Sequence, residues 1–308
     1  MRSLAALLIA VSASAAAEPS QEQQLAAAYQ DALRQLSVEA GKLLAAGQHS
    51  WESYVGDICQ ADGGADQAIH REQCLASAYA ERIDRLKGAV ATRGPFAFVQ
   101  VTGYCARRMP DDDTGNHPGW VTHEFAYPRI DKPATPGTEL WNQLVAGKVP
   151  AKPCDDADTE TDTSLDYALG LVTDRLISVD WSSWFFPHGA AHGGGAAFTQ
   201  TIVLTPAPHA LRPEDLFRPD GPWRQVLQSA LVADLREEVP NDQWPLYGRF
   251  EAFAAQVAAD PERWSLDENG ISFSFNQYEI GPYSYAPPGF IIPWSELRDA
   301  MVADPPIR

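Results

Sequence analysis

The chain reads as an α+β protein in which helices cover an antiparallel sheet and a small disulfide-stapled helical hairpin precedes it. Apolar residues recur at helical spacing over residues 22–46 and from about 66 to 87, giving the hairpin. From Ser164 to Leu204 the apolar positions alternate at the period of strands. Two further helical patterns then run together before a last strand block, and strands grouped around consecutive helices argue α+β rather than alternating α/β.

Arg2 gives a positive start, Leu4 to Val11 a short apolar core and Ala15 to Ala17 the small residues of a cleavage site, so residues 1–17 read as a signal peptide. The mature chain is expected to start near Glu18, in the periplasm or outside the cell, with no membrane span. Asp and Glu number 41 against 23 Lys and Arg, a net charge of -18. Such a surface disfavours nucleic acid and favours a basic partner.

In the first module, residues 18–90, Leu25, Tyr29, Leu33, Leu36 and Leu43 mark one helical stripe, which Gly47 is expected to close. Leu75, Tyr79, Ile83 and Leu86 mark a second. Trp51, Tyr54, Cys59 and a Gly63-Gly64 turn lie between them. Four cysteines in an exported chain suggest two disulfides. Sequence-neighbour pairing, Cys59 with Cys74 and Cys105 with Cys154, is taken among the three connectivities. No C-x2-C pair supports zinc, and neither a metal nor a cofactor is expected. The order W-x2-Y-x4-C, a glycine pair, then C-L-x3-Y-x2-R-x3-L, here Trp51, Tyr54, Cys59, Cys74, Leu75, Tyr79, Arg82 and Leu86, resembles the LprI-like family of small periplasmic modules. Some members of that family are described as lysozyme inhibitors, so the resemblance implies a lysozyme-like partner.

The second module, residues 91–308, opens with Phe96, Phe98, Gln100 and Thr102 on one parity and Val99 and Val101 on the other, a strand buried on both faces. Trp120 to Tyr127 is a second strand. Residues 128–162, rich in Pro, Asp and Thr, read as a loop insertion broken by a short apolar patch from Leu140 to Val145. The acidic runs Asp111 to Asp113 and Asp155 to Asp162 lack the EF-hand register and read as solvated loops. Tyr167 to Leu171, Leu176 to Phe186 and Ala197 to Leu204 fit an antiparallel meander. Helices follow around Trp223 to Leu231 and Phe250 to Val257, the latter ending before Asp260-Pro261. Ile271, Phe273 and Phe275 then alternate as a strand, a turn rich in Pro, Gly and Tyr follows, and Phe290 to Trp294 is a sheet edge or the start of a helix.

His192 to Gly195 spells HGGG, a string found in the oxyanion hole of some esterases, but the chain contains no G-x-S-x-G nucleophile elbow. His188 and His192 on a strand would stand about 13 Å apart, poor for a shared metal. They read instead as caps on polar groups in a glycine-rich hairpin. Asp166, Asp180, Glu279 and Glu296 carry carboxylates, yet no spacing places two of them as acid and base, so no catalytic residue is assigned. Glu279 beside an ordered turn reads as an acceptor of local N–H groups.

Three landmarks in order, G-A-A-H-G with the T-Q-T-I-V-L strand, L-R-P-E-D-L-F at Leu211 to Phe217, and the pair Y-E-I-G-P-Y and I-P-W-S-E-L, resemble the C-terminal extracytoplasmic domain of RsiV-type anti-sigma factors and PdaC-type peptidoglycan deacetylases. The resemblance spans about Ser164 to Val302 and implies a binding domain of cell-envelope proteins, in RsiV-type members one that recognises lysozyme. Together the two resemblances imply a noncatalytic periplasmic binding protein for a basic lysozyme-like enzyme, with a peptidoglycan-fragment binder or a cell-envelope hydrolase or deacetylase-associated enzyme as alternatives. Interfaces favour aromatic anchors. The partner-binding residues expected on that ground are Trp184, Phe185, His188, His192, Glu279, Tyr283 and Tyr285, the competing reading being that Tyr278 and Tyr283 pack the turn and Trp184 the core.

Overall fold

The structure, a computed structural model, describes residues 19–60, 67–109, 119–150, 160–238, 249–282 and 290–308. The expected signal peptide, the Gly63-Gly64 turn, Asp111 to Asp113, Cys154, Tyr283 and Tyr285 lie outside the described residues.

Helix α1 (Gln21–Leu33) starts in a capping box between Ser20 and Gln23. The single helix expected over 22–46 is two. The chain breaks after α1, and Ser37 caps α2 (Val38–Ile58) by accepting from Ala40 N at 3.2 Å. Ser37 is itself tied to Asp131, far along the chain, through its backbone N–H at 3.0 Å and its hydroxyl. Gly47 does not close the helix but sits inside α2, where a Cβ would stand 2.6 Å from Thr102 Oγ1 and 2.8 Å from Thr102 O. Close backbone approach, not termination, explains this glycine. Helix α3 (Gln67–Lys87) packs against α1 through Ala28, Ala32, Ile83 and Leu86. The expected hairpin is therefore a three-helix module, and Cys59–Cys74 joins the end of α2 to α3. Cys105 is also disulfide-bonded.

A seven-stranded sheet follows in sequential order: β1 (Val90–Arg93), β2 (Phe96–Arg108), β3 (Trp120–Lys132), β4 (Thr161–Val172), β5 (Leu176–Pro187), β6 (Gly194–Val203) and β7 (His209–Ala210). β2 runs buried on both parities, and β4 to β6 form the expected antiparallel meander. The sheet is not wholly antiparallel, because β3 and β4 pair in parallel through His123–Thr163, Glu124–Ser164 and Phe125–Leu165. Parallel neighbours need a crossover, and the stretch read as a loop insertion supplies one. Strand β3 extends to Lys132, and α4 (Pro136–Ala146) follows with a Thr135–Thr138 capping box and Pro136 in its first turn. Trp141 of α4 is fully buried against Phe98 at 5.8 Å, and Asn142 bonds both backbone groups of Ile130.

Beyond α5 (Pro213–Leu216), helices α6 (Trp223–Glu238) and α7 (Phe250–Ala259) form the expected consecutive pair. The last strands do not join the main sheet: β8 (Trp264–Leu266), β9 (Gly270–Phe273) and β10 (Ile291–Pro293) make a separate three-stranded sheet, and α8 (Trp294–Leu297) follows at once. Phe275 has left the strand and packs between Phe253 and Phe290. Trp264 packs edge-on against Phe217 and Trp223 in a core that also takes Leu171, Leu176 and Val203 from the main sheet, so the C-terminal unit is anchored on one end of that sheet. The three-helix module holds the other end through α2 on β2.

Candidate functional site

Beside the three-helix module lies a groove of about 290 Å³ on the sheet surface. Cross-strand register lays its floor. Tyr104 on β2 is opposite Glu124 on β3, Glu124 is opposite Ser164 on β4, and Ser164 is opposite Trp184 on β5. Paired residues project to one face, so four strands deliver one row of side chains. On β4, Asp162, Ser164 and Asp166 share that face by period two, and all three line the groove. Arg85 in the last turn of α3 forms a wall, and Trp184 stands at the opposite rim.

The carboxylates are individually oriented. Asp162 accepts from Thr122 N at 2.7 Å, from the Thr122 hydroxyl at 3.0 Å and faces His188 Nε2 at 3.1 Å. Glu124 accepts from the Tyr54 hydroxyl at 2.7 Å. Burial first, and the Glu124 charge second, push the Tyr54 phenol far above its ordinary range, so it is a donor at any physiological pH. Asp166 meets Arg85 at 3.4 Å. Three carboxylates thus share the groove with one guanidinium, and the lining is net acidic.

Trp184 and Phe185 are 44% and 47% exposed, which places Trp184 on the surface rather than in the core. As neighbours on a strand they project to opposite faces. Trp184 stacks on Phe186 two residues on, with centroids 6.0 Å apart and planes 6° apart. Phe185 lies against the glycines of the hairpin. A Cβ at Gly194 would sit 2.5 Å from its ring, and one at Gly193 would sit 2.4 Å from its carbonyl oxygen. In this chain HGGG is the surface on which Phe185 and Trp184 rest.

The structure divides the sequence-derived residues into two groups. Trp184 and His188 belong to the groove, His188 through Asp162. His192 and Glu279 belong to a second cluster, where Asn276 and Gln277 bond to β6. Asn276 accepts from Ala197 N at 2.9 Å and Gln277 from Gly195 N at 3.1 Å. His192 faces Gly193 O at 2.8 Å and the Tyr278 hydroxyl at 3.1 Å, as expected of a ring that caps polar groups. Glu279 accepts from Asn276 N at 2.6 Å, the local role expected of it, and from Arg263 Nη1 at 3.0 Å and Nη2 at 2.5 Å. Its carboxylate is committed within the chain. Sequence reasoning missed Tyr104, Glu124 and Arg85, which meet only through register and helix docking. The polar alternation of Asp162, Ser164 and Asp166 was the signal available. Among the described residues no three of His, Cys, Asp and Glu come together as a metal-holding group.

Residues 10–86 match the family described as "Lysozyme inhibitor LprI", and residues 214–295 match the family described as "Protein of unknown function (DUF3298)". The chain has an LprI-family amino-terminal domain and a DUF3298-family carboxyl-terminal domain. Solved structures similar to it include a DUF3298 family protein from Pseudomonas aeruginosa PAO1, 16% identical, covering 68% of this chain and 95% of that one with a TM-score of 0.45. A DUF3298 family member from Bacteroides fragilis NCTC 9343 is 18% identical, covering 69% and 96% with a TM-score of 0.42. No curated protein matches the chain. The LprI domain supplies α1 to α3 and hence Arg85, while the groove floor on β2 to β5 falls between the two matched segments. Both memberships are consistent with a noncatalytic binding role. Among the described residues no helix is long and apolar enough to cross a membrane.

Proposed function

We propose that this chain is a noncatalytic periplasmic or secreted binding protein whose partner is a basic, lysozyme-type glycan hydrolase. The observation that carries the reading is the exposed Trp184 at the rim of a groove with three carboxylates to one guanidinium. An aromatic anchor beside an acidic concavity suits a partner that offers Lys or Arg side chains, and the net charge of -18 would speed their encounter. The LprI match and the likeness of the second module to RsiV-type extracytoplasmic domains support lysozyme as the partner class. Blocking of the hydrolase cleft is the activity that follows.

The test is co-elution and muramidase inhibition with purified mature protein against a panel of lysozymes across a salt series. Association that weakens as salt rises is expected, since groove and surface charges are screened. No association at low salt with any member of the panel would sink the proposal.

A peptidoglycan fragment is the second reading, favoured by the stacked Trp184–Phe186 pair beside the hydroxyls of Thr122 and Ser164. Retention on purified cell-wall sugar no greater than that of a control protein removes it.

A further inference from the structure

Among the described residues Tyr278 is the one non-glycine residue with a positive φ, 66°. A bulky side chain enters that left-handed region only at a steric cost, which glycine avoids and asparagine largely escapes. A turn that served the fold alone would take one of those two. Its neighbours explain the backbone but not the tyrosine. Asn276 and Gln277 turn to β6, accepting from Ala197 N at 2.9 Å and Gly195 N at 3.1 Å. Glu279 turns to Arg263 and to Asn276 N, and Ile280 is buried. Of these five residues only Tyr278 is turned outward, 52% exposed.

The ring is also held in place. Its hydroxyl lies 3.1 Å from His192 Nε2, and the two ring centroids are 6.2 Å apart. His192 precedes Gly193, where a Cβ would stand 3.0 Å from the Trp184 ring. The step from His192 to Gly193 therefore links Tyr278 to Trp184 across the start of β6. We infer that Tyr278 is a second aromatic anchor for the partner, kept outward by its left-handed turn so that one bound protein meets both Trp184 and Tyr278. The inference rests on the binding role proposed above. Tyrosine and tryptophan are prominent among the residues that carry interface energy, and a ring already held in its bound position loses little freedom on association.

The breadth of this face fits a protein surface. From Glu124 on β3 to β6 is three strand spacings, about 14 Å, and Tyr278 lies beyond β6. A single sugar held in the groove leaves Tyr278 uncovered. A protein that places basic side chains among the carboxylates and packs over Trp184 reaches the far side of the hairpin with its rim, where the Tyr278 hydroxyl and His192 offer polar contacts.

The test compares Tyr278→Gly and Tyr278→Asn, which accept the backbone, with Tyr278→Phe, which keeps the ring. Each is titrated by calorimetry against the panel of lysozymes, with thermal unfolding followed in parallel. The Gly and Asn variants are expected to unfold close to the wild-type temperature and to bind about tenfold or more weakly, while Tyr278→Phe keeps most of the affinity. A second readout needs no variant: in the wild-type complex, magnetisation transferred from the lysozyme should reach the Tyr278 ring protons. Wild-type affinity in the Gly and Asn variants, or no transfer to that ring, overturns the inference and leaves the proposed function standing. Failure of the wild-type protein to bind any lysozyme overturns both. Variants that keep their lysozyme affinity but lose retention on purified peptidoglycan would give Tyr278 to a sugar and overturn the protein assignment.

Discussion

The ring of Phe185 occupies the space that a side chain at Gly194 would fill, and the two residues face each other across β5 and β6. The same relation recurs at Gly103 and Phe125, opposed on β2 and β3, where a Cβ would come within 2.3 Å of the ring. Aromatic rings laid over cross-strand glycines restore apolar cover to backbone that would otherwise be exposed. At the rim of the groove this packing positions the strand that carries Trp184.

Replacing Gly193 and Gly194 in turn should separate stability from rim geometry. Gly194→Ala meets the far end of a half-exposed side chain, which can swing away, so its effect on stability should stay within about 1 kcal/mol while the aromatic near-UV signal changes. Gly193→Ala meets the Phe185 carbonyl oxygen and should lose about 1–3 kcal/mol. Urea unfolding with near-UV circular dichroism checks both, and equal losses would contradict the packing account.

Trp184→Ala should leave unfolding free energy within about 1 kcal/mol of wild type, because the ring is 44% exposed. If Trp184 anchors the partner, the same change should weaken association about tenfold or more. Calorimetric titration of the variant against a lysozyme bound by wild type decides it, and unchanged affinity would move the contact elsewhere.

Much of this fold was legible because burial imposed a period. The alternation through Tyr167, Leu169 and Leu171 marks β4, and the pattern at Trp223, Leu227 and Leu231 marks α6. The misreadings share a cause, in that a distant contact overrode local propensity. Gly47 looks like a helix stop until Thr102 is placed against it. Residues 128–146 look like loop by composition, yet Pro128 is tolerated within β3, Pro136 suits a first turn, and Trp141 holds α4 against Phe98. The groove was the least legible part. Tyr104, Glu124 and Trp184 each look like ordinary strand positions, and only register sets them in one row.

The Cys59–Cys74 bridge closes a loop with a sequence separation of 15 and ties the end of α2 to α3. In a chain-entropy account such a loop contributes about 3 kcal/mol, so Cys59→Ser with Cys74→Ser should lower the unfolding free energy by roughly that amount. Denaturant titration of the double variant measures it, and a loss below about 0.5 kcal/mol would show that packing of the three helices holds the module without the bridge.

Glu279 joins Arg263 by two bonds at 3.0 and 2.5 Å in a partly buried site. Glu279→Gln removes the charge and one acceptor, leaving a guanidinium nitrogen without its partner, and should destabilise by about 1–3 kcal/mol. Arg263→Met with Glu279→Gln should recover part of the loss, since a lone buried charge is worse than none. A double-mutant cycle on unfolding free energies gives the coupling, and strictly additive losses would show that the pair does not act as a unit.

Asp180 gives a pH dependence of definite sign. Its carboxylate lies between β5 and β8, accepting from Ser265 Oγ at 2.7 Å and Thr199 Oγ1 at 3.1 Å. Burial raises its pKa from the ordinary 3.8, and the two hydroxyl donors only partly offset the shift. The folded chain therefore keeps this proton at pH values where the unfolded chain has released it. Its contribution to stability is complete below the unfolded pKa and is lost as pH rises through the folded one. Asp180→Asn abolishes that term. The unfolding free energy of wild type minus that of the variant should accordingly fall across the window just above the ordinary carboxylate range and level off beyond it. Urea unfolding of both proteins from about pH 4 to pH 8 supplies the comparison. A difference that stays flat, or rises with pH, would mean that the hydroxyl donors outweigh burial at Asp180.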